Sequence, residues 1–196
     1  MDYTLLLSRV TQAVNRAGEL LIAEWQRPDG VRGAGDKADV DLEIEALLRP
    51  WLLDLLDCDF WGEETGYSLT GSQFCWVVDP NDGTADFLKG YKGSAISVGL
   101  LEDSQPVLGV VYAPVLEGRP ADCIAWARDL PSLLRNGEPV DANLSKQEFG
   151  PDSRVMVSTA ARLKPELNSE LCAPGIFVPM PSIAYRLACV AAGDGG

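Results

Sequence analysis

Trp76-Val77-Val78-Asp79-Pro80-Asn81-Asp82-Gly83-Thr84 is the stretch on which the reading of this chain turns. Trp and Val form an apolar run with strand preference, and it delivers two carboxylates three residues apart. Gly83 and Thr84 follow, and then a short helical segment, Ala85 to Lys89. Hard oxygen donors therefore stand beside the free amides of a helix start. Carboxylates, carbonyls and retained water suit Mg²⁺. Unsatisfied amides and the helix dipole favour a phosphate oxygen. A cation next to a phosphate is the apparatus of phosphoryl transfer to water. Taken alone, Asp79-Pro-Asn-Asp82-Gly83 is equally an Asx turn at a strand end.

Outward from this stretch, Leu6, Val10, Val14, Ala17, Leu21 and Trp25 recur at helical spacing and predict an amphipathic helix over 2–26. Asp39 to Leu56 gives a second helical pattern, which Pro50 is expected to kink or divide. Ala95 to Glu102 and Val107 to Ala113 are β-type runs, joined by Asp103-Ser104-Gln105-Pro106, and read as an antiparallel hairpin. Cys123 to Ala127 is a further strand, and Asn136-Gly137 marks a turn. The polar stretch Asp141 to Ser153 reads as a crossing from a first region, 1–148, into a second, 149–196. There a strand begins at Arg154 and a helix covers Ser182 to Ala192. The second region is too short to hold an independent core. Trp61 and Trp76 are assigned to the core.

Composition removes whole classes of function. The net charge of −13 argues against a nucleic-acid groove, which needs a basic stripe. The absence of histidine excludes Ser-His-Asp and Cys-His machinery and His-ligated zinc. Five cysteines without a CxxC pair are no disulfide framework and fit a reducing cytoplasm. No signal-peptide pattern and no apolar run of membrane length is visible, so a soluble cytoplasmic protein is expected.

Glu63, Asp79 and Asp82 are the candidate metal ligands, since three converging carboxylates repel strongly without cations. The amides of Gly83, Thr84 and Ala85 are candidates for gripping a phosphate, with Gly83 needed where backbone must approach closely. Lys37, Lys89 and Lys92 are candidates for adding charge near it. Glu64 is expected to turn outward, solvated or capping. An EF-hand loop counted from Asp79 fails, because its sixth position is Thr84 and its twelfth Gly90. A haloacid-dehalogenase motif fails because Asn81 stands where the second acid is required.

Asp79-Pro-Asn-Asp82-Gly-Thr84 resembles the Asp-Pro-x-Asp-Gly-Thr signature of the inositol monophosphatase superfamily, which includes the 3′(2′),5′-bisphosphate nucleotidases. Gly62-Glu63-Glu64 is similar to its Gly-Glu-Glu motif, and Asp41-Leu-Glu-Ile-Glu45 to its early Asp-x-x-x-Glu helix. Gly93 to Leu101 and Pro106 to Pro114 resemble the two strands that follow the signature. The family's later Trp-Asp motif, a further metal ligand, is not among these 196 residues.

The resemblance implies an α/β fold of layered α+β, sugar-phosphatase type. Its N-terminal sheet is mostly antiparallel with helices, and residues 149–196 begin a C-terminal α/β region whose sheet is unfilled. It implies Mg²⁺, two or three ions, with Glu63, Asp79 and the Asn81 carbonyl on the first and Asp82 bridging to a second. It implies that Thr84 holds the attacking water, with Asp41 orienting it and Glu63 contributing to catalysis. The expected reaction is lithium-sensitive hydrolysis of a small phosphorylated metabolite, either inositol monophosphate or 3′-phosphoadenosine 5′-phosphate. The possible homodimer comes from the same resemblance, with no nucleic-acid polymer and no membrane as partner. The alternative is a catalytically impaired fragment or homologue that binds or regulates.

Overall fold

In the computed structural model, which describes residues 1–195, the chain runs as seventeen helices and strands. In order they are α1 (Tyr3–Trp25), β1 (Gly33–Ala34), β2 (Lys37–Ala38), α2 (Asp39–Leu55), β3 (Asp59–Gly62), β4 (Tyr67–Ser68), β5 (Phe74–Asp82), α3 (Thr84–Phe87), β6 (Ala95–Glu102), β7 (Gln105–Ala113), β8 (Asp122–Ala127), β9 (Leu134–Arg135), β10 (Glu138–Pro139), β11 (Arg154–Val157), α4 (Pro165–Leu171), β12 (Ile176–Pro179) and α5 (Ile183–Ala191).

One sheet of eight strands carries the architecture, in the order β10-β9-β8-β7-β6-β5-β3-β4. All of its pairings are antiparallel except β3 with β5. Period-two burial divides its residues between two faces. Phe60, Trp76, Val78, Val98, Leu100, Leu108 and Val110 meet the apolar stripes of α1 and α2, the main core. Ala95, Ala113 and Ile124 point to the other face and meet Met180, Tyr185 and Cys189 of the second region. The chain beyond Ser153 thus borrows the back of the large sheet for its core. Its own sheet is the parallel pair β11 and β12.

Several local expectations change. Pro50 neither ends nor divides α2. The bond it cannot donate is outweighed by Ile44, Leu48 and Leu52, fully buried on either side of it. The hairpin turn is only Asp103-Ser104, both with left-handed φ (50° and 64°), as a tight two-residue turn requires. Pro106 is already inside β7, paired with Leu101 next to a register shift. Trp76 is fully buried and donates Nε1–H to the Leu56 carbonyl at 3.1 Å. Trp61, by contrast, is 57% exposed, because its neighbours Phe60 and Gly62 occupy the buried side of a four-residue strand.

A partly buried chain of charges ties the second region to the first. Asp122 on β8 accepts from Arg135 at 2.6 Å and from the Tyr185 hydroxyl of α5 at 2.5 Å. The same guanidinium reaches Asp194 through two bonds of 2.7 and 2.8 Å. Burial alone would raise the Asp122 carboxyl, but its bonds from Arg135 and Tyr185 outweigh burial and hold it below its ordinary value.

Candidate active site

The parallel pairing of β3 with β5 places Gly62 opposite Val78, so Glu63, one step beyond the end of β3, stands beside Asp79, which still pairs with Ser97 of β6. The turn after β3 is anchored from below by Glu45 of α2, which is fully buried. Its carboxylate accepts from the amides of Glu64 and Thr65 at 2.9 and 2.6 Å, and from the Thr65 hydroxyl. Arg49, one turn on, donates to the Thr65 hydroxyl at 2.7 Å. A Cβ on Gly62 would stand 2.0 Å from Glu45 Oε1, so only glycine lets the carboxylate pass beneath the turn.

On β5 the register with β6 shifts between Asp79 and Asp82. Pro80, which has no N–H to give a ladder, sits inside this irregularity. The shift resets the side-chain alternation, and Asn81 faces the start of α2. Its Nδ2 donates to Asp41 Oδ1 at 2.9 Å. Thr84 Oγ1 lies 2.9 Å from Asp41 Oδ2 and 2.8 Å from the Asn81 carbonyl, so its single proton has two candidate acceptors. Asp41 is 1% exposed, and this burial pushes its carboxyl up to about 6 against the bonds that favour its ionised form. Asn81 Oδ1 is buried without a hydrogen-bond partner.

Asp79 is pushed up to about 8, first by burial and then by the charge and hydrogen bond of Glu63 beside it. Its Oδ1 also accepts from the Asn81 amide at 3.0 Å. Asp82 goes elsewhere. Its Oδ2 accepts from the Ser182 hydroxyl at 2.7 Å and from the Ala184 amide at 2.6 Å, at the start of α5. Gly83 has φ of 101°, a left-handed backbone that favours glycine, and a Cβ there would lie 3.0 Å from Pro181 Cβ. Among the described residues no three His, Cys, Asp or Glu side chains gather closely enough to hold an ion. Glu63 and Asp79 stand adjacent and the charge of Asp82 still reaches Asp79, while Asp82 Oδ2 is engaged at the start of α5.

Glu64 is half-buried and contributes its amide to the Glu45 anchor. Lys89 pairs with Asp86 at 3.5 Å on an exposed surface. Asp41 and Thr84 lie 43 residues apart in sequence and meet directly. Sequence reasoning missed the Asn81 side chain, the Glu45 anchor and the Ser182–Ala184 contact. For Ser182 a signal existed, a Ser just before an apolar helix, which is a common N-cap. Its hydroxyl accepts from the Tyr185 amide at 2.9 Å while donating to Asp82.

The donor chemistry of the pair fits a hard divalent cation. Two adjacent carboxylates, one of them raised by burial and by its neighbour, relieve their repulsion by sharing a cation that keeps several waters.

A sequence model of the inositol monophosphatase family matches residues 3–196. The inositol-1-monophosphatase of Synechocystis sp. is 31% identical over 119 residues, 58% of this chain and 42% of that protein. The probable inositol 1-monophosphatase ImpA of Mycobacterium tuberculosis is 31% identical over 151 residues, 74% of this chain and 54% of its own length. The chain thus spans about half the length of these curated relatives. In fold, it superposes on the extragenic suppressor protein suhB of Bartonella henselae with a TM-score of 0.78 at 22% identity, covering 97% of this chain and 76% of that one. No described helix is long and apolar enough to cross a membrane. With the signature motif, the large sheet packed on both faces and the family match over almost its whole length, the chain belongs to the inositol monophosphatase family.

Proposed function

We propose that this chain carries the phosphatase machinery for hydrolysing a small phosphomonoester, with water as the attacking group. One observation carries the reading: buried Asp41 and Asn81 and half-buried Thr84 form a hydrogen-bonded group beside the Glu63–Asp79 pair. With Asp41 ionised, the Thr84 hydroxyl donates to Asp41 Oδ2 and offers its lone pairs to a water proton. That water then presents its own lone pair to phosphorus. As the bond from water to phosphorus forms and the ester P–O bond breaks, the water proton passes to Thr84 Oγ1 and the Thr84 proton to Asp41, while the departing alkoxide takes its proton from solvent water. A carboxyl near 6 suits this acceptor role close to neutral pH. The first amides of α3, from Gly83 to Ala85, are the donors available to phosphate oxygens.

Glu63 and Asp79 would hold Mg²⁺, which when bound lowers the pKa of water and neutralises phosphate charge. Asp82 can offer it only Oδ1. Asp41 acts through Thr84 and positions rather than attacks, so no phospho-enzyme forms. The relatives named inositol monophosphatases favour inositol monophosphate over a 3′-phosphorylated nucleotide as substrate. The test is phosphate release from both compounds with Mg²⁺, with and without Li⁺. Release that Asp79→Asn abolishes supports the proposal, and no release above buffer overturns it.

A second reading, ligand binding without turnover, draws on the engagement of Asp82 with α5. It predicts saturable binding of inositol monophosphate with no phosphate produced.

A further inference from the structure

At the seam between the large sheet and the second region lies a cavity of about 340 Å³, within the range of small-molecule sites. Two of its basic walls come from the first region: Lys92 from the loop after α3, and Arg119 from the connection between β7 and β8. Two come from the second: Arg154 at the start of β11, and Arg162 in the short helical turn that follows. Four of the sixteen Lys and Arg residues therefore converge on one concavity in a chain of net charge −13.

Two features separate this group from an ordinary solvated face. The chain carries 29 acids against 16 bases, and six of those bases form ion pairs among the described residues. Among the described residues, however, none of these four forms an ion pair, although Glu117 also stands on the wall. Two of the guanidiniums also sit against aromatic rings. Arg162 lies 5.4 Å from the Tyr91 ring centre, and Arg119 lies 5.5 Å from that of Tyr185 while donating to its hydroxyl at 2.6 Å. A guanidinium resting against a ring keeps its remaining N–H groups for a planar or tetrahedral oxyanion.

We infer that this cavity is a binding site for a small, multiply charged oxyanion, a phosphorylated metabolite bearing at least two negative charges. It is distinct from the Asp41–Thr84–Asn81 group, none of whose residues lines it. The ligand would bridge the two regions, neutralising four cations that otherwise repel one another across the seam. It would bind beside Met180, two residues before the Ser182 that bonds Asp82.

The test is calorimetric titration of the chain with inorganic pyrophosphate in a chelator at low salt, so that any cation-dependent site stays silent. Wild-type protein should bind one equivalent, with affinity falling as salt rises. Arg154→Gln with Arg162→Gln should weaken binding by roughly tenfold or more, while Arg16→Gln on the far face of α1 and Thr84→Val should leave it unchanged. Should circular dichroism show the double variant unfolded, Lys92→Gln in a folded protein must weaken binding severalfold. The inference is overturned if wild-type protein does not saturate. It is equally overturned if the cavity variants bind like wild type, or if Thr84→Val is the change that removes binding.

Discussion

The Ser182 hydroxyl donates to Asp82 Oδ2 across one hundred residues of chain. Ala184 adds its amide to the same oxygen at 2.6 Å. One signature acid thereby caps the helix that carries Tyr185 and Cys189 into the core behind the large sheet. The candidate site and the second region are mechanically one unit at this point.

Replacing Asp82 with alanine should therefore cost more than a surface acid would. It leaves two donors at the start of α5 without their acceptor, at about 1–3 kcal/mol. The melting temperature should fall by several degrees at ~2–4 °C per kcal/mol, with Ser182→Ala falling less, because the Ala184 bond survives. Equal melting temperatures for wild type and Asp82→Ala would refute the capping role.

Gly62→Ala puts a methyl group into the Glu45 carboxylate, which nothing around it can vacate cheaply. Overpacking of this kind costs about 1–3 kcal/mol. Because the Glu45 anchor positions the turn that carries Glu63, divalent-cation affinity should drop with it. Calorimetry with Mg²⁺ on the folded variant checks this. Unchanged cation binding would separate the anchor from the site.

Thr84→Val removes the hydroxyl that relays between water and Asp41, and the proposed turnover should fall by about 10²-fold or more. Thr84→Ser keeps the oxygen and should recover most of the rate. Equal rates for Val and Ser would remove Thr84 from the mechanism.

The pH dependence has a definite sign in protein stripped of cations. Asp41 and Asp79 bind their protons more tightly folded than unfolded, being raised to about 6 and about 8. Their contribution to stability is fully present below the unfolded carboxyl value and is lost as pH rises through those two values. Asp79→Asn deletes the upper part of that loss. Its melting temperature relative to wild type should climb from about pH 4 to about pH 8, by several degrees, and level off above. A difference that stays flat across the range would contradict the raised Asp79.

Trp76→Ala should destabilise by about 3–5 kcal/mol, as expected for an aromatic removed from a packed core. Trp61→Ala, on the exposed side of β3, should cost under ~1 kcal/mol. Chemical denaturation of both variants measures the contrast.

The helices and central strands were legible because each carries its own period. The stripe from Leu6 to Trp25 could bury only as a helix, and the alternation in β6 and β7 only as sheet. Pro50 and Trp61 misled for one reason: propensity and hydrophobicity describe a residue, whereas a lost bond or an exposed ring is decided by what packs on the neighbouring turn or strand. Glu45, a charge on a helix by sequence, became a buried anchor because Gly62 leaves room above it.

Sequence by itself determined the long helices and central strands, the acid-Gly-Thr turn and the family, since these depend on local spacing and on residue types that chemistry cannot exchange. Tertiary structure decided which oxygens meet. The parallel pairing of β3 with β5 sets Glu63 against Asp79, and the irregularity at Pro80 turns Asn81 to Asp41. The docking of α5 claims Asp82. Each of these is a contact between distant segments, fixed by register and packing, and no local pattern in the chain encodes the partner.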